Sequence, residues 1–358
     1  MVALTYSAFM YYNDPYVLIK PDYFKKILPY SPMYNYNFIR QYEKIDYGFL
    51  GSSAVNYFPI DYMYPGYANL YSMGIESSNI SEHIAYGKVL AGKNPKEIVF
   101  FITFYALNPA RGNQNYFHPL VVKMNNIVID FVDQYFNNPA YDDAVEYRRR
   151  LNQDGVNWMK EFNPNGTRTQ NSYRTDKNYN AEKTFQNYLS YMLLDPRYYG
   201  SHSFKKPESV NIGIGEIKEF RDYLKSKGVK LKIATAPEHR MNIALIYFAG
   251  LGETYEAFRR KLASVQPYYD LNLDTAFTSN IGNFWDTHHV RKGKKIIEDL
   301  NNDVYLMDSS NVDQYLPVIR PGEREINKLK LFLKNYKDWN KTREKLKEDL
   351  SITPPVMQ

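Results

Sequence analysis

The chain has 358 residues, 44% of them hydrophobic and 23% charged, which is the balance of a folded globular protein with room for a sizeable core. Lys and Arg exceed Asp and Glu by 45 to 39, a mild surplus spread along the chain that gives no sign of a nucleic-acid partner. There is no Cys, which excludes a disulfide framework, a Cys-based zinc site, an iron–sulfur cluster and a thiol nucleophile. Tyr is abundant, at 35 residues. Its flat apolar ring and polar tip suit sugar faces, although Asn, Lys and Ile are plentiful too, as in a simple composition bias.

Residues 1–43 read as an irregular, Tyr- and Pro-rich lead-in with a short helix near Tyr36–Glu43. The stretch Val2–Tyr12 is apolar but is broken by Thr5, Ser7 and the turn at Asn13-Asp14-Pro15. It is too short for a membrane span, which needs roughly 20 residues, and fits the tail end of an anchor or a buried strand. Tyr47–Gly51 predicts a strand closed by Gly, and Ala68–Met73 a second one closed by Gly74. Ser81–Leu90 predicts a helix capped by Asn79 or Ser81. Glu97–Leu107, with its unbroken run Ile98–Ile102, predicts a strand covered on both faces.

From Pro109 to about Asn211 the strand–helix alternation stops. Val121, Met124, Val128, Phe131 and Tyr135 form one helical stripe, and Phe185, Tyr188, Leu189 and Met192 another. Polar Asn163–Asn180 between them predicts a loop. The region reads as a helical insertion, leaving the sheet at a strand's carboxyl end and so capping whatever site lies there.

Alternation then returns: a helix over Gly215–Lys227, a strand over Val229–Thr235, a helix over Glu253–Ser264, a strand over Tyr268–Leu273 and a helix over Arg291–Leu300. Repeated strand–helix units predict an α/β fold, a three-layer sandwich with a mostly parallel sheet. Its core comprises residues 44–108 and 212–310, interrupted by the insertion at 109–211. Residues 311–358 read as a C-terminal helical segment, with a long Lys/Glu-rich helix expected over 322–350.

Three fragments meet in this topology. Ser53, in Gly51-Ser52-Ser53, follows the first strand, where reactive groups of open α/β sheets collect. Gly74 ends the next strand, where a backbone can approach a ligand closely. In Trp285-Asp286-Thr287-His288-His289, Asp at i and His at i+3 can meet on one turn, so that Asp286 orients His289 as a general base for Ser53. His288 is the neighbouring alternative for the base. Asp286, His288 and His289 are also a conceivable metal-ligand set, without the His-x-x-x-His pair or Cys that usually accompanies one. His239, at a strand end, and Tyr105 are candidates to line the cleft, and Tyr173, Arg174 and Tyr179 to touch a glycan from the insertion. The run Arg291-Lys292-Gly293-Lys294-Lys295 reads as a solvated helix face or as a contact for an anionic polymer. Gly-x-Gly-x-x-Gly is absent, and no Gly-x-x-x-x-Gly-Lys is followed by the Ser or Thr of a phosphate-binding loop, which argues against a nucleotide-binding protein.

The order of these fragments resembles the SGNH (GDSL-type) hydrolase superfamily over residues 44–108 and 212–302. The text Phe284–Gly293 and the lead-in Asn13-Asp14-Pro15-Tyr16 are similar to its cell-envelope branches, which serve polysaccharide O-acetylation and teichoic acid D-alanyl transfer. The resemblance implies a flavodoxin-like SGNH fold with Ser53 as nucleophile, His289 as base and Asp286 as its orienter. Oxyanion donors would come from Ser53, Gly74 and Asn108. The family's Gly-x-Asn-Asp block has no counterpart: Thr103–Asn108 stands in its place, with Asn108 as the one residue able to supply that donor. The implied activity is that of an extracytoplasmic serine esterase or acyltransferase on an acylated glycan or other cell-envelope polymer. It needs no cofactor or metal, takes no nucleic acid, and would work beside a membrane tether or membrane-protein partner. The alternative is a non-catalytic glycan-binding or assembly module of the same fold.

Overall fold

A computed structural model describes residues 42–75, 78–111, 180–273 and 275–334, with isolated residues elsewhere. Six strands form one sheet: β1 (Tyr47–Ser52), β2 (Leu70–Ile75), β3 (Glu97–Ile102), β4 (Lys230–Thr235), β5 (Tyr268–Tyr269) and β6 (Leu306–Met307). Their order is β2-β1-β3-β4-β5-β6. All neighbours run parallel except β6, which is antiparallel to β5. The chain is therefore α/β with a mostly parallel sheet, and its first five strands follow the doubly wound order 2-1-3-4-5.

The helices are α1 (Ile60–Met63), α2 (Ile80–Ala91), α3 (Ala181–Leu194), α4 (Asn211–Ser226), α5 (Arg240–Phe248), α6 (Gly252–Val265), α7 (Gly293–Asn301), α8 (Val312–Ile319) and α9 (Glu323–Lys334). They cover both faces of the sheet. On one face Leu50, Ile98, Phe100, Ile102 and Ile233 pack with Ile84 and Leu90 of α2, Phe220 and Leu224 of α4, and Phe258 of α6. On the other, Phe49, Val99, Phe101 and Ala234 pack with Val55, Phe58 and the α7 residues Ile296, Ile297 and Leu300. Alternate residues of β3 thus enter opposite layers, which explains why its run is apolar without a break.

Several boundaries move from their sequence positions. β2 is shifted two residues, so Gly74 lies inside the strand opposite Gly51. The expected strand Glu97–Leu107 ends at Ile102, and Phe104–Leu107 forms a 3₁₀ turn. Asn79, not Ser81, caps α2, in a reciprocal capping box with Glu82; the Ser81 hydroxyl donates to Glu216 instead. β5 keeps only two residues, and the Leu271 backbone N–H beyond it donates to the Thr235 hydroxyl rather than to a β4 carbonyl. α5 has no counterpart in the sequence reading. Met241 to Ile246 are all buried, so this helix has almost no polar face to give it a period. α9 holds it down through an Arg240–Glu325 ion pair with bonds of 2.9 and 3.0 Å. Among the described residues, no helix is long and apolar enough to cross a membrane. The expected stripe Val121–Tyr135, the residues Tyr173, Arg174 and Tyr179, and most of the lead-in lie outside the described residues.

Candidate active site

β1 lies between β2 and β3, where the chain order along the sheet reverses, so its carboxyl end opens at the switch point of the fold. A Cβ on Gly51 would meet the Phe101 carbonyl oxygen at 2.5 Å, so Gly is needed for β1 to pass β3 at this point. Ser53 opens the 3₁₀ turn Ser53–Tyr57, directly after the strand. A first-turn N–H has no acceptor within its own helix, which leaves this end of the turn suited to an anion.

The partner of Ser53 comes from 236 residues further on. Phe284 and Val290 form an antiparallel bridge, and Trp285 N–H donates to the His289 carbonyl at 2.7 Å, so residues 284–290 make a tight loop. Asp286 sits fully buried at its centre. Its Oδ1 accepts the backbone N–H groups of His288 and His289, each at 3.0 Å. Its Oδ2 lies 2.6 Å from His289 Nδ1. His289 Nε2 lies 2.8 Å from Ser53 Oγ. Burial alone would raise the Asp286 carboxyl, but the neighbouring imidazoles of His289 and His288 and their hydrogen bonds outweigh it, and the acid is held below the ordinary carboxylate range. An ionised Asp286 accepts a hydrogen bond from the Nδ1–H of His289. That leaves Nε2 as an acceptor for the Ser53 hydroxyl, the tautomer a general base requires.

His288 is not part of this chain of bonds. Its ring lies edge-on to Tyr105 and Tyr188, with centroids 5.9 and 5.6 Å away, and its Nδ1 is 3.1 Å from Thr287 Oγ1. Burial pushes it down to about 3, and His289 beside it adds to the shift, so it is neutral. Donor atoms of Asp286, His288 and His289 lie within 4.8 Å of one another. Both ring nitrogens of His289 are already used, by Asp286 and Ser53, so an ion held by all three residues would displace the bonds just described.

The other expected site residues have different positions. Gly74 N–H donates to Asn56 Oδ1 at 2.8 Å, and Asn56 Nδ2 donates back to the Gly74 carbonyl at 3.2 Å. The Gly74 N–H is therefore committed to the Ser53 turn rather than to a substrate oxyanion. Asn108 is committed too. Its Nδ2 donates to the carbonyls of Pro196 and Tyr198 at 2.8 and 2.7 Å, and its Oδ1 accepts Ala110 N–H, so it ties the two ends of the insertion together. His239 does not line a cleft: it is the buried N-cap of α5, its ring lies between Phe185 and Phe284, and its backbone N–H donates to the Thr287 carbonyl. Tyr105 is buried behind His288. Tyr173 is outside the described residues.

Asn56 is the residue that sequence reasoning missed. No motif marks it, because its role depends on Gly74 standing opposite. A Cβ on Gly74 would overlap the Asn56 amide. Gly74→Ala is therefore expected to push Asn56 away and to tilt the turn that carries Ser53, and Asn56→Ala to leave the Gly74 N–H and carbonyl unpaired. Each should cost about 1–3 kcal/mol. Ester turnover should fall at least about tenfold as the Ser53–His289 distance loosens. Urea denaturation and initial rates on both variants check this; rates equal to wild type would remove Asn56 from any positioning role.

The insertion reaches the site through α3. Its buried stripe of Phe185, Leu189 and Met192 faces the body of the protein. Tyr188 touches His288, and Met192 Sδ lies 3.5 Å from the Thr287 hydroxyl. Thr167, which follows Gly166 packed on the Ser72 carbonyl, lines a cleft of about 900 Å³ beside the triad. Its walls include Tyr57, Tyr62, Trp285, Val290, Arg291 and Lys294. The Tyr57 ring lies 4.7 Å from that of His289.

Three buried histidines set the acid response. Burial lowers His83 to about 3 and His239 to about 4, alongside His288. A histidine with a depressed folded pKa contributes stability above about 6.5, and this is lost as pH falls toward the folded value. Glu238 has the opposite sign: burial raises it to about 7, so its contribution is present in acid and lost as pH rises through that value. Three groups outweigh one. Unfolding free energy is expected to drop on the order of 5 kcal/mol between pH 6.5 and 4.5. Urea midpoints at these pH values test this, and a midpoint that rises on acidification would contradict it.

No family model matches this chain, and no curated protein matches it either.

Proposed function

We propose that the protein is a serine-dependent carboxylic-ester hydrolase or O-acyltransferase that works through an acyl-enzyme on Ser53. The observation that carries this reading is the continuous path Ser53 Oγ–His289 Nε2–His289 Nδ1–Asp286 Oδ2, with steps of 2.8 and 2.6 Å, assembled at the switch point of the sheet. In the first half-reaction Ser53 Oγ bonds to the acyl carbon while its proton passes to His289 Nε2. Asp286 stabilises the imidazolium, and the alcohol leaves with that proton. In the second, His289 takes a proton from water or a sugar hydroxyl, the new oxygen bonds to the acyl carbon, and Ser53 regains its proton. The Ser53 backbone N–H is the donor offered to the oxyanion. The sheet order and the position of Ser53 support the resemblance to SGNH hydrolases. With that resemblance goes an acylated glycan of the cell envelope as substrate, handled outside the cytoplasm.

One observation favours the second reading, a non-catalytic module of the same fold. The Gly74 N–H and the Asn108 amide, both expected oxyanion donors, are engaged within the protein. Losing one such donor costs about 10²–10³ in rate. A fluorophosphonate probe separates the readings. Phosphonylation mapped to the Ser53 peptide supports the enzyme, and a chain that stays unlabelled at saturating probe supports the module.

A further inference from the structure

The segment between β4 and α5 joins the core to the triad, and three consecutive residues there make three attachments. The Glu238 N–H donates to Asn272 Oδ1 at 2.7 Å, and the Glu238 carboxyl is buried. The His239 N–H donates at 2.9 Å to the carbonyl of Thr287, at the middle of the loop that carries Asp286 and His289. The Arg240 N–H donates to the Thr278 carbonyl, and its guanidinium ties α5 to Glu325 on α9. A displacement of Glu238 is therefore passed to the triad loop by the very next peptide.

Glu238 is poorly provided for as an anion. Its Oε2 accepts from Asn242 Nδ2 at 2.7 Å, a neutral amide in the first turn of α5. Its Oε1 has no hydrogen-bond partner among the described residues. Arg259 and Tyr255 face it from α6, Asp270 from the end of β5, Tyr199 from the segment after α3, and Tyr105 from the 3₁₀ turn after β3. Arg259, the one cation among these, is spent on Asp270, to which it donates at 2.7 and 3.3 Å. On its own segment, Arg240 is engaged by Glu325, and burial lowers His239 to about 4, so that it is neutral. Burial raises the hydroxyls of Tyr105, Tyr199 and Tyr255, which keep their protons. An ionised Glu238 is then a second carboxylate beside a cation already paired, the costly arrangement for a buried charge. Burial raises its carboxyl to about 7, within reach of ordinary working pH.

We propose that Glu238 is a positioning residue for the triad, which holds the loop of Asp286 and His289 in place while uncharged and releases it on ionising. In the acid form Oε2 accepts from Asn242 and Oε1 carries the proton, so the core receives no net charge. As pH rises the Oε1–H bond breaks, its electron pair stays on the carboxylate and the proton leaves to solvent. The anion is repelled by Asp270 and is better solvated by water, so the segment 236–240 shifts. The His239 N–H then lets go of the Thr287 carbonyl, and His289 loses its alignment on Ser53. The site is thereby regulated by pH against the trend of its own base, which gains activity as it loses its proton. That the loop carries a base rests on the reading of Ser53 given above; the coupling of Glu238 to the loop does not.

Two measurements on the full chain test this. The first is the rate at which a fluorophosphonate labels Ser53 as a function of pH. A base acting alone gives a rise and a plateau, whereas wild type is expected to rise and then to fall at least about fivefold between about pH 7 and about pH 9. Glu238→Gln, neutral at every pH, should keep the rise and lose the fall, and Glu238→Met should lose it too. The second is hydrogen exchange of the peptide spanning residues 284–290, corrected for the intrinsic base catalysis of exchange. Wild type should exchange faster at about pH 9 than at about pH 6.5, and Glu238→Gln should not. The proposal is overturned if wild-type labelling holds its plateau, if wild-type exchange is equal at the two pH values, or if Glu238→Gln keeps the alkaline fall. Should Glu238→Gln fail to fold, Glu238→Met and the wild-type exchange decide by the same criteria. A chain whose Ser53 is never labelled loses the catalytic reading, and the exchange of residues 284–290 then decides this proposal alone.

Discussion

Ser53→Ala is expected to lower turnover of an activated acetyl ester by about 10⁴-fold or more while leaving the fold intact. The half-buried side chain has one described partner, His289 Nε2, so its removal opens no core cavity and breaks no support of the 3₁₀ turn, which Asn56 holds from β2. His289→Ala should cost about as much, and the double variant no more than either single one, because a nucleophile and its base act as a unit. His288→Ala is the control. That ring touches Tyr105 and Tyr188 rather than Ser53, so its truncation should cost packing and far less rate. Initial rates with urea midpoints on all four variants decide it. Equal rate losses for His288→Ala and His289→Ala would remove the assignment of the base.

Asp286→Asn is expected to cost roughly 10⁴ in rate, although the substitution is nearly isosteric. The amide oxygen can still accept the backbone N–H groups of His288 and His289, so the loop should keep its shape. The amide nitrogen, however, donates where Oδ2 accepts. It turns His289 to the tautomer with its proton on Nε2, and that nitrogen can no longer take a proton from Ser53. The loss should therefore appear in kcat, with a urea midpoint close to wild type. A variant within about tenfold of wild-type kcat would show that Asp286 serves the loop and not the base.

Much of this arrangement is legible in the sequence, for identifiable reasons. β1 and β3 are marked by apolar runs that feed two layers at once, as Phe100 and Phe101 do on opposite faces. Asp286 and His289 are close in sequence, so an i, i+3 spacing suffices to bring them together. Their union with Ser53 follows from the rule that sites gather at strand carboxyl ends. What escaped were features created by distant neighbours. The Gly74 N–H is free in the sequence and taken in the structure, because a two-residue shift of β2 sets Gly74 against Asn56. Asn108 looked like a donor for a ligand, but Pro196 and Tyr198, brought back by the insertion, occupy it. α5 is buried on almost every side, and a helix without a polar face carries no periodic signal.

The central claim is an acyl group carried on Ser53, and pre-steady-state kinetics with p-nitrophenyl acetate measures that directly. Formation of an acyl-enzyme before a slower transfer predicts a burst of p-nitrophenol stoichiometric with protein, together with an acetyl mass on the peptide that contains Ser53. Both should vanish in Ser53→Ala. A linear release with no burst and no acetylated Ser53 peptide, in a chain folded by circular dichroism, would contradict the account.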